Sequence, residues 1–444
     1  MEMIESFVLR SGLKELRSRP ELISDYVDHS LKRMNALENK IHAFVPEKSR
    51  KKRLERRIND LQESYSAGEN LPPLYGLPAG VKDIFHVDGL PTGAGTRLAP
   101  KILTGEEGYT VKKLREAGAV ILGKTVTTEL AYFVPGPTRN PHNTDHTPGG
   151  SSSGSAAAVA AGYCPLAVGT QTIGSVIRPA AFCGVVGFKP SYDRVPREGM
   201  VDFSPSADHV GFFTQNVEDM QTAASHLVPD WGGPAAEDEA DKGGANDGKK
   251  IAVLGIPADS YLQQAGGKAL SNMRKNTDKL RHAGFKVKKL EIMQNIEKIN
   301  KAHQLLISRE FADVHDSIYE QHGDRLRPET VELIEEGRQV TDRQYSEALK
   351  SQKNLRSTLQ EEMSTEDIDI WVSPAAPGPA PEGIDSTGDP VMNLPWTHAG
   401  LPAVTVPSGR TEEGMPLGLQ LAAAYGNDEE LLDMADSIVR VLRR

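Results

Sequence analysis

Pro148-Gly149-Gly150-Ser151-Ser152-Ser153-Gly154-Ser155 runs straight into Ala156-Ala157-Ala158-Val159-Ala160. After Leu166-Ala167-Val168 comes a second stretch of small residues, Gly169-Thr170-Gln171-Thr172-Ile173-Gly174-Ser175. Alanine-rich sequence favours helix, and a short apolar run bounded by turn formers favours a buried strand. The order is therefore loop, helix, strand, loop, the alternation of an α/β sheet. A flexible Gly/Ser linker would not lead directly into helix and core strand, so both loops read as built structure.

Working outward, residues 77–190 keep the same character, with Ala119-Val120-Ile121-Leu122 as another buried-strand run after helical residues 111–117. Upstream, Ser18-Arg19-Pro20-Glu21 resembles a helix start, followed by an apolar stripe at helical spacing from Leu22 to Met34. A further helix places Leu54, Ile58 and Leu61 on one face and a dense basic run, 48–57, mostly on the other. That run reads as a solvated helix face rather than a phosphate or RNA patch. Residues 230–250, rich in Gly, Ala, Asp and Glu, read as a flexible surface connection. Strand character at Ile251-Ala252-Val253-Leu254 is followed by a polar, helical stretch, 262–363. It returns at Ile368-Asp369-Ile370-Trp371-Val372, Leu401-Pro402-Ala403-Val404-Thr405-Val406 and Leu417-Gly418-Leu419-Gln420-Leu421. One sheet interrupted by a helical cover follows.

The chain has 444 residues, 38% of them hydrophobic and 25% charged, with formal charge −10. It can bury a large core, and its acidity disfavours bulk association with nucleic acid or anionic lipid. Two cysteines, Cys164 and Cys183, make no disulfide framework. No apolar run is long enough to span a membrane. The expectation is a cytoplasmic protein without nucleic acid, membrane, metal or cofactor; a homodimer is left open.

Three motif matches fail on context. Gly118-Ala119-Val120-Ile121-Leu122-Gly123-Lys124-Thr125 fits a phosphate loop letter for letter, but its middle residues demand burial as strand. Gly150-Ser151-Ser152-Ser153-Gly154 fits a nucleophile elbow without the strand that must precede it. His142, Asp145 and His146 lie between Pro141 and Pro148 in a loop, not on a metal-binding helix.

What remains is a lysine and two serines. Serine needs a base within hydrogen-bond reach, and lysine serves only when burial lowers its pKa by about three units. Lys82, in Ala79-Gly80-Val81-Lys82-Asp83-Ile84-Phe85, sits in a strand-like apolar run. The plain alternative is a salt bridge to Asp83, weakened because adjacent strand residues face opposite ways. The glycine-rich loops let consecutive N–H groups crowd one point, as an oxyanion hole requires.

The combination resembles the amidase signature family. It is carried by Gly76-Leu77-Pro78 with Val81-Lys82-Asp83, by the two serine loops, by Gly184-Val185-Val186-Gly187-Phe188-Lys189-Pro190, and by Gly400-Leu401-Pro402-Ala403 with Gly418-Leu419-Gln420-Leu421. The resemblance implies a single α/β domain, residues 1–444, with a mixed, mostly parallel sheet covered by helices on both faces. Its parts would be N-terminal helices (1–75), a signature core (76–225), the surface connection, the variable helical cover, and a C-terminal sheet and helix (368–444). It further implies Ser175 as nucleophile, Ser151 as a bridging serine after a cis peptide bond, and Lys82 as base. The N–H groups of Thr172, Ile173, Gly174 and Ser175 would form the oxyanion hole. The substrate would be a small amide, its pocket placed around Tyr132 and Phe133. Two departures stand out: Gln171 where the family usually has Asp, and Ile173 where it has Gly. Arg178 is also three residues after Ser175 rather than two. The alternatives are the glutaminase subunit of a tRNA-dependent amidotransferase and an inactive scaffold of the same fold.

Overall fold

A computed structural model describes residues 9–65, 70–232 and 252–444. The expected surface connection 230–250 falls almost wholly outside these, as does Ile251. Helices α1 (Leu9–Ser18), α2 (Ile23–Ile41) and α3 (Arg50–Ser64) lead in. They are followed by β1 (Pro78–Lys82), α4 (Tyr109–Glu116), β2 (Val120–Thr125), α5 (Ser153–Ala160), β3 (Leu166–Gln171), α6 (Ile177–Cys183), β4 (Val186–Lys189), β5 (His209–Thr214) and α7 (Val217–Leu227). Then come β6 (Val253–Pro257), α8 (Ser260–Gln263), α9 (Gly267–His282), β7 (Lys286–Leu290), α10 (Ile296–His322), α11 (Pro328–Arg338) and α12 (Asp342–Thr365). The chain ends with β8 (Ile370–Pro374), α13 (Leu394–His398), β9 (Ala403–Arg410), β10 (Pro416–Ala422) and α14 (Asp428–Leu442).

Among the described residues all ten strands form one sheet, ordered β2-β1-β3-β5-β4-β9-β10-β8-β6-β7. The sheet is mixed, as expected, but not mostly parallel. β1 is parallel to β2 and β3, and β6 to β7 and β8. The β3–β5, β5–β4, β4–β9, β9–β10 and β10–β8 pairs are antiparallel. An apolar run buried on both faces looks the same in either direction, so the pattern never carried strand polarity. Alternation sends Leu166, Val168, Val404, Val406, Leu419 and Leu421 to one face. Ala167 and Phe213 turn to the other, under α5, and Trp371 and Ala403 pack beside α6 and α13. Both faces are thus covered.

The helical cover holds α10, α11 and α12, and the chain re-enters the sheet at β8 beside β6, as one interrupted sheet requires. β7, Lys-Val-Lys-Lys-Leu, is an edge strand inside the stretch expected to be helical. Two details differ at the N-terminus. Ser18 closes α1, its hydroxyl donating to Lys14 O and Glu15 O, rather than capping the next helix. The basic run on α3 is only partly a solvated face. Arg53 donates to the Ile121 and Leu122 carbonyls and Arg57 to Arg115 O, fastening α3 over β2 and the end of α4.

Candidate active site

β1 and β3 are parallel neighbours, so Lys82 and Gln171, their last residues, emerge on the same edge of the sheet. Ligands of α/β sheets bind outside such carboxyl ends. There Lys82 Nζ donates to Ser151 Oγ at 2.8 Å and to Thr170 Oγ1 at 2.7 Å. The side chain is fully buried, and desolvation pulls its pKa down to about 7, against the negative charge of Asp208. Asp83 pairs instead with Lys124, 2.8 Å away. Lys124 is the lysine of the phosphate-loop lookalike, and its segment is the wholly buried strand β2. The Lys82–Asp83 salt bridge is therefore not formed.

Ser151 follows a cis Gly150–Ser151 peptide bond and stands just before α5. Gly154, in the first turn of that helix, packs so tightly that a side chain would collide with Ala43 O and Val126 N. Arg178 closes the other side. Fully buried, it donates to Gly150 O at 2.7 Å, Gly388 O at 2.6 Å and Thr387 Oγ1 at 3.1 Å. Burial draws its pKa down to about 9, with Asp389 opposing.

The loop from Thr172 to Ser175 joins β3 to α6. Gln171 spans the loop from the end of β3 to the head of α6. Its Oε1 accepts the N–H groups of Val176 and Ile177 at 2.8 and 2.9 Å, at the head of α6. The backbone N–H groups of Thr172, Ile173, Gly174 and Ser175 have no acceptor among the described residues. The Ser175 hydroxyl likewise has no partner there, so no Ser151–Ser175 hydrogen bond is formed. Asp208 stands behind the loop, accepting from Thr172 Oγ1 at 2.5 Å and from the Phe203 and Ser204 N–H groups. Burial raises its pKa to about 6.

Ser151, the four loop residues and Arg178 line one narrow cleft with Ala131, Tyr132, Phe133, Phe203 and Pro390. Tyr132 and Phe133 are turned inward by left-handed backbone at Leu130 and Ala131, φ 46° and 63°. Glu129 anchors that turn to α11 by accepting from Arg327 N and Thr330 Oγ1. His142 and His146 hydrogen-bond the Cys183 and Ala380 carbonyls, as loop braces do. A more open groove between α9, β9 and α14 carries side chains already engaged, such as Lys268 with Glu413 and Asn272 with Ser408.

Every residue expected at the site is thus in one place. Sequence reasoning missed Thr170 as the second lysine partner, Phe203 in the wall, and Asp208. The last is brought in by β3–β5 pairing, which sets Gln171 against His209. A polar residue ending a strand was the available signal for Thr170; none marked the other two.

A buried lysine on a serine hydroxyl, beside a loop of unpaired N–H groups, is the equipment of an amide-hydrolysing enzyme. The chain belongs to the amidase family: the model of that family, described as Amidase, matches residues 25–432. It is 30% identical to a glutamyl-tRNA(Gln) amidotransferase subunit from Trichormus variabilis, over 95% of this chain and 94% of that one. A solved amidase structure superposes with TM-score 0.85 at 29% identity, over 98% and 99% of the two chains. The peptide amidase of Stenotrophomonas maltophilia does so with TM-score 0.78 at 25% identity, over 97% and 96%. Among the described residues no helix is long and apolar enough to cross a membrane.

Proposed function

We infer that this chain is a stand-alone amidohydrolase that cleaves a carboxamide C–N bond through an acyl-enzyme on Ser175. Lys82, without its proton, takes the Ser151 proton as Ser151 takes that of Ser175. Ser175 Oγ then attacks the carbonyl carbon. The oxygen that becomes negative is met by the N–H groups of Thr172, Ile173, Gly174 and Ser175. The same route run backwards protonates the departing amine, and water attacks the ester to release the acid. The reading is carried by one observation: a fully buried amine held on the Ser151 hydroxyl, with no carboxylate in contact among the described residues. The open step between Ser151 and Ser175 is one that substrate closes, since catalytic hydrogen bonds tighten in the Michaelis complex.

The aromatic wall of Tyr132, Phe133 and Phe203 favours an apolar acyl group. A glutaminase subunit is the second reading, favoured by the name of the curated relatives. Against it, among the described residues Arg178 is the one charged side chain lining the cleft, and no carboxylate lines it to receive the ammonium of free glutamine. The test is an amide library, with free glutamine included, offered to the isolated chain beside a fluorophosphonate probe. Turnover of simple amides with labelling at Ser175 is expected. Glutamine hydrolysis only with an added partner protein favours the subunit reading, and neither turnover nor labelling favours the scaffold.

A further inference from the structure

Behind the loop that carries Ser175, two side chains grip carbonyl oxygens. His303 Nε2, on α10, donates to Thr172 O at 3.1 Å, and Thr397 Oγ1, on α13, donates to Ile173 O at 2.7 Å. We propose that His303 and Thr397 are positioning residues that aim the Ile173 and Gly174 N–H groups at the developing oxyanion, a role that rests on the serine mechanism above.

The argument is peptide geometry. Thr172 C=O belongs to the same planar unit as Ile173 N–H, and Ile173 C=O to the same unit as Gly174 N–H. Neither unit is cis. In a trans unit the carbonyl and the N–H point in opposite directions. A donor holding the oxygen from behind therefore directs the hydrogen forward, into the cleft that Ile173 and Gly174 line. It also polarises the unit, strengthening the N–H as a donor.

Each brace is itself braced. A carbonyl only accepts, so His303 must carry its proton on Nε2. Nδ1 then accepts from His398 Nδ1 at 3.2 Å, leaving His398 Nε2 to accept from Ser351 Oγ at 3.1 Å. The two rings stand nearly perpendicular, at 86°. Both are buried, and burial keeps both neutral, so this single tautomer chain runs from α12 to the loop. On the other brace the Thr397 hydroxyl accepts from Gln171 Nε2 at 2.9 Å. Gln171 thereby links both ends of the loop: its oxygen holds the head of α6 and its nitrogen orients Thr397. Thr397 and His398 are consecutive on α13, whose preceding residue, Asn393, is packed so close to Gly174 that a side chain there would strike it. The loop is sandwiched between the cleft and a purpose-fitted backing.

The test compares kcat and KM of His303→Phe and Thr397→Val with their donor-retaining counterparts, His303→Gln and Thr397→Ser, on an amide the wild type hydrolyses. Direct loss of one oxyanion donor lowers kcat by about 100- to 1000-fold. A misaimed donor is expected to lower it by about 10- to 100-fold, with KM within about twofold and with most of the rate restored in the counterparts. An unchanged kcat overturns the proposal, as does a loss that the counterparts fail to restore. Should His303→Phe not fold, the Thr397 pair decides. Ser175→Ala is assayed alongside. An active Ser175→Ala overturns the serine mechanism and the braces with it. An inactive one, beside undiminished His303→Phe and Thr397→Val, overturns the braces alone.

Discussion

Lys82 ends β1 at the cleft, and Lys189 ends β4 nearer the middle of the sheet. Both are fully buried, and desolvation draws both amines down to about 7. Their surroundings differ in kind. Lys82 meets two hydroxyls. Lys189 meets two carbonyl oxygens, Leu401 O at 2.5 Å and Pro190 O at 3.2 Å, with Asp428 favouring its charged form. A carbonyl accepts and has nothing to give, so it fixes the amine as a donor. A hydroxyl gives and accepts, so it can hand its own proton to the amine. Burial alone makes a weakly basic lysine; the partner decides whether it is a base or a clamp.

The strongest way to break this contrast is substitution at the cleft. Lys82→Ala and Ser175→Ala are each expected to lower turnover by at least about 1000-fold, and Ser151→Ala to leave a trace, measured by steady-state rates on folded protein. A normal rate in Lys82→Ala would sink the base assignment. The pH profile sharpens it next. The native amine must be unprotonated, so kcat/KM should fall about tenfold per unit as pH drops below the Lys82 value of about 7. A profile flat to pH 5 contradicts a lysine base. Lys189→Met should do the converse. Activity per folded molecule should persist, while stability falls by about 1–3 kcal/mol because buried carbonyls lose their donor, read from denaturant unfolding. Lys82→Met should destabilise less, since the hydroxyls of Ser151 and Thr170 are left able to pair with each other. The smallest effect is expected from Asp208→Asn. Its carboxylate favours the ammonium of Lys82, so removing the charge should move the acid limb of the profile to lower pH by a fraction of a unit. A shift upward would contradict that placement.

The sequence made the serine loops, α5, the flanking strands and the lysine legible because each depends on local chemistry: small residues for close approach, apolar runs for burial. Strand direction was not, since β4, β5 and β9 are apolar whichever way they run. β7 was missed because Lys286, Lys288 and Lys289 make an edge strand read as part of a polar helical stretch. Gln171 looked like a gap left by a missing charge, and only the geometry shows its amide holding Val176 and Ile177 by oxygen and Thr397 by nitrogen. Asp208, His303 and Thr397 reach the loop through strand register and helix packing across long separations, and composition encodes neither.

Helix α10 bears on how such an enzyme diverges. His303 steadies the serine loop from it, and eight residues on, about 12 Å along the axis, Phe311 packs behind Tyr132 and Phe203, with ring centroids 6.0 and 4.7 Å away. On the serine mechanism inferred above, a lineage that recuts its cleft through this helix would also shift the loop that His303 holds, so altered preference and altered reactivity would be inherited together. Recombination between relatives should therefore carry the 27-residue rod intact, along with the short α13 it leans on, rather than exchange single wall residues.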